Sequence, residues 1–324
     1  MIEFSRQTLP HGITLSCRSA GAKGRPVLMF LHGFPEAAFV WDGLLAHFSQ
    51  PENGGYRCIA PNLRGYEQSS APNDVSAYQP KHLVQDIAAL IALEGGQPQR
   101  WAAPSKASPL GGQRLTRSEE RGGPQMDCLV AHDWGGAVAW NLAASQPQLI
   151  KKLAIINSPH PGTFLRELQQ SPSQQAASAY MNFLIRPDAE KLLAEDDYKR
   201  LWRFFSDIGT PPNAGGWLTD AVKSQYRDVW EHGLTGPLNF YRASPLRPGP
   251  DVANLVIPRE LLYVNLRTLV VWGMGDMALL PGLLVGLADF VPRMELERVD
   301  GASHWIIHEQ PMLVTQHLAR FLSG

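Results

Sequence analysis

The chain has 324 residues, enough to bury a full core in one large domain that also carries an insertion. Its formal charge of −1 argues against a nucleic-acid or membrane-surface partner. Three cysteines, Cys17, Cys58 and Cys128, have neither metal-ligand spacing nor the even count of a disulfide framework, and read as buried reduced thiols. Met1-Ile2-Glu3-Phe4-Ser5-Arg6 lacks a basic-then-apolar secretory pattern and no apolar run reaches spanning length, which predicts a cytoplasmic protein.

Residues 2–9 and 12–19 predict an antiparallel hairpin turned at His11-Gly12. Residues 26–31 form a continuous apolar strand. His32-Gly33-Phe34-Pro35-Glu36 follows, then a helix that buries Trp41, Leu44, Leu45 and Phe48. A strand recurs at 56–60, and 80–93 carries Leu83, Val84, Ile87, Leu90 and Ile91 at helical spacing. This alternation predicts an α/β fold, a mostly parallel sheet covered by helices on both faces. Residues 95–125, rich in Gly, Pro, Ser, Arg and Gln, predict an exposed loop insertion, with solvation rather than partner binding as the simpler role.

The next segment, Met126 to Ala131, is an apolar strand, and Ala137-Val138-Ala139-Trp140-Asn141-Leu142 belongs to a helix. Asp133 lies on the tight turn between them. Ala131 and Gly135 flank it at the positions where a nucleophile elbow needs small residues, close to the Gly-x-nucleophile-x-Gly pattern. The first-turn N–H groups and helix dipole should keep that carboxylate ionised. A carboxylate is a poor reagent for acyl transfer, because attack gives an anhydride, but it can displace a leaving group from an sp³ carbon and form an alkyl ester. Read alone, Asp133 could be merely a helix N-cap, though the elbow reading is favoured.

Beyond a core strand at 153–157 the alternation stops. Helix-like stretches at 176–184, 188–207 and 217–232 precede the next strand at 266–272, so 160–255 predicts a helical cap inserted into a core of 1–159 and 256–324. Such a cap would exclude water and form a pocket at its interface with the core. A last strand at 294–299 and a helix at 305–322 complete the chain. Asp276 and His304 each follow a core strand, giving the order nucleophile, acid, histidine that this layout delivers as a catalytic triad. Taken singly, Asp276 could be a turn former and His304 a structural histidine. The backbone N–H groups of Phe34 and Trp134 are the expected oxyanion hole, with Pro35 in a rigid turn that fixes Phe34.

His32-Gly33-Phe34-Pro35-Glu36, Asn62-Leu63-Arg64-Gly65-Tyr66, His132-Asp133-Trp134-Gly135-Gly136, Asn157-Ser158-Pro159-His160-Pro161 and Gly301-Ala302-Ser303-His304-Trp305 together resemble the epoxide hydrolase branch of the α/β-hydrolase superfamily. The resemblance covers nearly the whole chain apart from 95–125. Asn62 stands where the family usually has Asp, and Glu67 where it usually has Gly. The resemblance implies the α/β-hydrolase fold, with an eight-stranded sheet. It also implies a small apolar epoxide and water as reactants, hydrolysis through an ester on Asp133, and no cofactor or metal. Two cap tyrosines that hold the epoxide oxygen fall on Tyr241, in Asn239-Phe240-Tyr241-Arg242, and Tyr180, in Ala179-Tyr180-Met181. A cap tyrosine otherwise serves packing.

Haloalkane and haloacetate dehalogenases share His132-Asp133-Trp134-Gly135 in part and would use the same three side chains. The former commonly have Asn at the place of Phe34, and the latter usually Arg at that of Trp134. Arg186 and Arg242 leave a carboxylated substrate open. A non-catalytic ligand-binding protein of this fold is a third reading, and the fold alone does not exclude it. Phe39, Trp140, Phe183 and Leu184 hint at an apolar pocket but could all be core. The oligomeric state, a homodimer included, stays open.

Overall fold

The computed structural model describes residues 1–95, 125–206 and 216–324. The expected insertion at 95–125 thus lies outside the described residues except for its two end positions. The strands are β1 (Glu3–Thr8), β2 (Thr14–Ala20), β3 (Val27–Leu31), β4 (Arg57–Pro61), β5 (Met126–His132), β6 (Ile150–Ile156), β7 (Arg267–Gly273) and β8 (Met294–Val299). They form one eight-stranded sheet in the order β1-β2-β4-β3-β5-β6-β7-β8. β2 pairs antiparallel with β1 and β4, and every other pairing is parallel.

Alternating side chains point to opposite faces of a strand, and the sheet therefore carries two cores. Leu28, Phe30, Cys58, Val130 and Ile156 face a layer that contains Trp41, Leu45, Leu318 and Phe321. Met29, Leu31, Leu129, Leu153 and Ile155 face the other. Helices α1 (Asp42–Phe48), α2 (Pro80–Glu94) and α3 (Asp133–Ser145) connect the strands. All three cysteines are buried and unpaired, and burial pushes their thiols up to about 12. At the far edge, β8 is only half-buried and pairs its Glu295 and Glu297 with Arg267 and Arg320, charges that discourage edge-to-edge association.

Between β6 and β7 lie α4 (Pro161–Gln170), α5 (Pro172–Ala177), α6 (Tyr180–Leu184), α7 (Ala189–Ser206), α8 (Asp220–Glu231) and α9 (Thr235–Ala243). The sequence reading differs here. What reads as one helix over 176–184 is split between α5 and α6, and α7 is interrupted at Glu195–Tyr198, where Asp196, Asp197 and Tyr198 have positive φ. Helices α4 and α9 are absent from the periodic reading. Both begin beside proline, which signals a loop but also fits a helix's first turn, where its missing N–H removes no bond. The terminal helix is likewise two, α10 (Ile306–Glu309) and α11 (Pro311–Ser323), with Pro311 starting the second.

This helical insertion rests on loops that leave the C-terminal strand ends. Trp230 Nε1 donates to Pro35 O at 2.7 Å, Trp305 Nε1 donates to Phe204 O at 3.1 Å, and the backbones of Gly65 and Gly236 pack so closely that a Cβ on either would clash. Among the described residues, no helix is long and apolar enough to cross a membrane.

Candidate active site

In the parallel register Leu31 stands opposite Ala131, His132 opposite Ile156, and Gly273 opposite Val299. The loops after β3, β5, β6, β7 and β8 therefore emerge along one edge of the sheet. Asp133 takes the sharpest turn there, with φ of +48° directly after the extended His132. A non-glycine residue held in that region costs on the order of 1 kcal/mol, which surrounding contacts must offset. Those contacts are present. Ser158 Oγ donates to Asp133 O at 2.6 Å, and Phe34 N donates to Asp133 Oδ1 at 2.8 Å. Only glycine fits at 33 and 135, because a Cβ would run into the Asp133 side chain and the Leu31 carbonyl respectively. The Phe34–Pro35 bond is cis. Trp134 follows Asp133 in the first turn of α3, where backbone N–H groups have no intrahelical acceptor.

His304 and Asp276 reach the same point. His304 Nδ1 lies 2.7 Å from Asp276 Oδ2, and His304 Nε2 lies 3.8 Å from Asp133 Oδ2. Asp276 is held by N–H donors on both oxygens: Ala278 N at 2.9 Å and Leu279 N at 2.8 Å on Oδ1, and Asn157 Nδ2 at 2.8 Å on Oδ2. Asn157 Oδ1 in turn accepts from Gly273 N at 2.8 Å, which ties the end of β6 to the end of β7.

Burial alone would lower the imidazole of His304, but the charge and hydrogen bond of Asp276, with the further charges of Asp133 and Glu36, outweigh it and raise the group to about 9. His304 is therefore an imidazolium at neutral pH. Neutralising Asp133 removes one of the charges that raise it. In Asp133→Asn, the His304 titration followed by imidazole NMR is expected to fall below about 9; a titration that stays there would show that the two side chains are not coupled.

Tyr180, at the start of α6, and Tyr241, in α9, line one cavity of about 360 Å³ with Asp133 and Trp134. Desolvation and then the charge of Asp133 raise the Tyr180 phenol, while desolvation, Tyr180 and Asp133 raise that of Tyr241, so both stay protonated donors at neutral pH. The two rings meet edge-on with centroids 6.4 Å apart. Asp133 is the one charged side chain among the described residues that line the cavity. Arg186 pairs with Asp188 and Arg242 with Glu190, and neither lines it, so the opening for a carboxylated substrate loses its basis. Phe39, Trp140, Phe183 and Leu184 do not line it either. Phe39 packs on Tyr226 and Trp140 on His160, Phe183 lies under Arg186, and Leu184 is fully buried.

A model of the alpha/beta hydrolase family matches residues 28–316. The AB hydrolase superfamily protein YfhM of Bacillus subtilis is 32% identical over 317 residues, 97% of this chain and 96% of that protein. Epoxide hydrolase 2 of Caenorhabditis elegans is 30% identical over 301 residues, 92% of this chain and 74% of that protein. The chain belongs to the epoxide hydrolase branch of the α/β-hydrolase superfamily. A solved structure described under novel epoxide hydrolases from metagenomes of hot environments is similar throughout, with a TM-score of 0.81, 32% identity, and coverage of 100% of this chain and 99% of that one.

In this α/β-hydrolase the two departures from the family's pattern are hydrogen-bonded to each other. Asn62 Nδ2 donates to Glu67, and Glu67 adopts the positive φ of +48° that favours the glycine usual there. A carboxylate expected at 62 has in effect moved to 67. Sequence reasoning assigned no part to Asn157 and Ser158, although both stand in a motif it singled out.

It also missed a buried cluster behind the elbow. Glu36 is fully buried, and its carboxylate meets His132 Nδ1 at 3.2 Å, His308 Nε2 at 2.6 Å and the Tyr226 hydroxyl at 2.8 Å. Burial alone would raise that carboxyl, but the His308 charge and the hydrogen bonds of His132 and His308 hold it well below the usual carboxylate range. His132 Nε2 donates to the carbonyl of His304 at 2.9 Å, so the cluster fixes the backbone that carries His304 and, through Tyr226, holds α8 to the core. Among the described residues, no group of three or more His, Cys, Asp or Glu side chains is arranged to hold a metal ion.

Proposed function

We propose that this chain is an epoxide hydrolase that opens an epoxide to a vicinal diol through a covalent ester on Asp133. The observation that carries the reading is a carboxylate on a strained elbow, 3.8 Å from an Asp276-bound histidine, in a cavity whose other polar groups include two protonated phenols. Asp133 Oδ1 is occupied by the Phe34 N–H, which leaves Oδ2 to attack an epoxide carbon. The C–O bond of the ring breaks, and its oxygen takes a proton from Tyr180 or Tyr241 instead of leaving as a free alkoxide. The product of this step is a hydroxyalkyl ester.

Esterification cancels the charge of Asp133 and so lowers the imidazole of His304 towards neutrality. Once neutral, His304 takes a proton from water, and the resulting hydroxide equivalent attacks the ester carbonyl carbon. Phe34 and Trp134 N–H groups stabilise the oxyanion. The proton that His304 sheds on esterification restores the tyrosine. The proton it then takes from water goes to the departing alkoxide as collapse releases the diol, and the Asp133 carboxyl finally gives its proton back to His304, which restores the carboxylate. In this scheme the helices between β6 and β7 act as the cap that supplies both phenols and excludes bulk water.

The test is a single turnover in ¹⁸O-enriched water with enzyme in excess. The first diol released should carry no label, because its new oxygen comes from Asp133, and the peptide that contains Asp133 should gain one ¹⁸O. A labelled diol with an unlabelled Asp133 would mean that water attacks the epoxide directly.

A further inference from the structure

The cavity is one-sided. Asp133, Trp134, Ala137, Val138 and Asn141 all line it, at spacings that place them on one face of α3. Eight residues of helix rise about 12 Å, so the cavity follows α3 for about that distance away from the carboxylate. The segment after α9 also lines it, through Leu246, Ile257 and Leu261, and Arg259–Leu261 packs against α3. Leu261 is 54% exposed, so the apolar lining that packs on α3 reaches the surface there.

On its other side Asp133 is closed in by described residues. Phe34 packs edge-on against Phe204 with centroids 5.6 Å apart, Trp305 donates to the Phe204 carbonyl, and Phe34, Phe204 and Trp305 are all buried and outside the cavity lining. Along α3 beyond Asp133 and Trp134 the polar lining side chain is Asn141, whose amide donates to Ala137 O at 2.8 Å, and among the described residues no charged side chain there would match a charged group.

We propose that the substrate is an uncharged terminal epoxide that carries a single long apolar tail, laid along α3 from Asp133 to Asn141 and leaving over Leu261. This rests on the epoxide hydrolase reading and goes beyond it in naming the substrate class. An extended tail of roughly eight carbons spans the 12 Å of wall. Each buried methylene is worth about three- to fourfold in binding.

The experiment measures kcat/KM of the wild-type chain over 1,2-epoxyalkanes whose tails run from about two to about twelve carbons. The expected result is a rise of about three- to fourfold per methylene up to roughly eight carbons and a plateau beyond. In Ala137→Trp, one turn along the wall, the break is expected to move to roughly four carbons. A carboxylate at the fourth tail carbon should cost tenfold or more, on the order expected for an unpaired buried charge. A series that is flat from the shortest tail, or equal turnover of a symmetrical internal epoxide with two long arms, would overturn the one-sided cavity as the specificity element while leaving epoxide hydrolysis intact. Failure to turn over any epoxide would instead overturn the hydrolase reading itself, and this inference with it.

Discussion

His304→Gln is expected to stop with Asp133 esterified. Glutamine keeps a polar side chain beside Asp276 but provides no base of useful strength at neutral pH, so attack of water on the ester should slow by about 10²- to 10⁴-fold. Ring opening needs Asp133 and the phenols rather than a neutral His304 and should be affected far less. One equivalent of epoxide per active site would then disappear without release of diol. Mass spectrometry of the mixed protein should show an increase equal to the intact epoxide, confined to the peptide that contains Asp133, because the addition loses no atoms. With both steps measurable, kcat and KM should fall together, since a slow second step accumulates the ester. The same variant separates the rival chemistry. An adduct from a haloalkane that lacks its halogen would point to displacement of halide, and an unmodified Asp133 after exposure to a broad panel of epoxides would remove it as nucleophile.

The double variant Tyr180→Phe/Tyr241→Phe is expected to fail one step earlier. Opening the ring without a donor releases a strongly basic alkoxide into an apolar cavity, and loss of general acid assistance costs about 10²- to 10⁴-fold. Both phenols are raised by desolvation and the charge of Asp133, so each is a full donor throughout the neutral range. Because both line the cavity beside Asp133, either single change leaves a donor in place. The single losses should therefore multiply to less than the loss in the double variant, a non-additivity that a double-mutant cycle reads directly. Single-turnover kinetics should show slow alkylation of Asp133 and an ester, once formed, that hydrolyses at the wild-type rate. Alkylation at the wild-type rate in the double variant would assign both tyrosines to packing.

The geometry around Asp133 explains why some of this is legible in the sequence. A strand that ends, two small flanking residues and an apolar helix are all within about fifteen positions, and a strained turn follows from them without any distant contact. Asp276 and His304 are legible for a related reason: in a parallel sheet every strand's C-terminal end lies on the same edge, so a residue just past a core strand is delivered to that edge from anywhere in the chain. The partners of those residues are not legible in this way. Asn157 and Asp276 are 119 positions apart, Glu36 and Tyr226 190, and Glu36 and His308 272. No periodicity reports that such pairs will meet. The helices at Pro161–Gln170 and Thr235–Ala243 stay hidden because proline and glycine at their starts look like loop signals, and it is packing against other helices, α5 for the first and α6 for the second, that stabilises them.

The sequence by itself determined the order of the core strands and the tight turn that carries Asp133, since these depend on residues that are neighbours in the chain or on the common edge of a parallel sheet. Only the tertiary structure decided the charge state of His304, the buried Glu36 cluster behind it and the one-sided apolar cavity. Each of these depends on the distance and desolvation of side chains brought together from remote segments, and on the direction in which the helical insertion aims them.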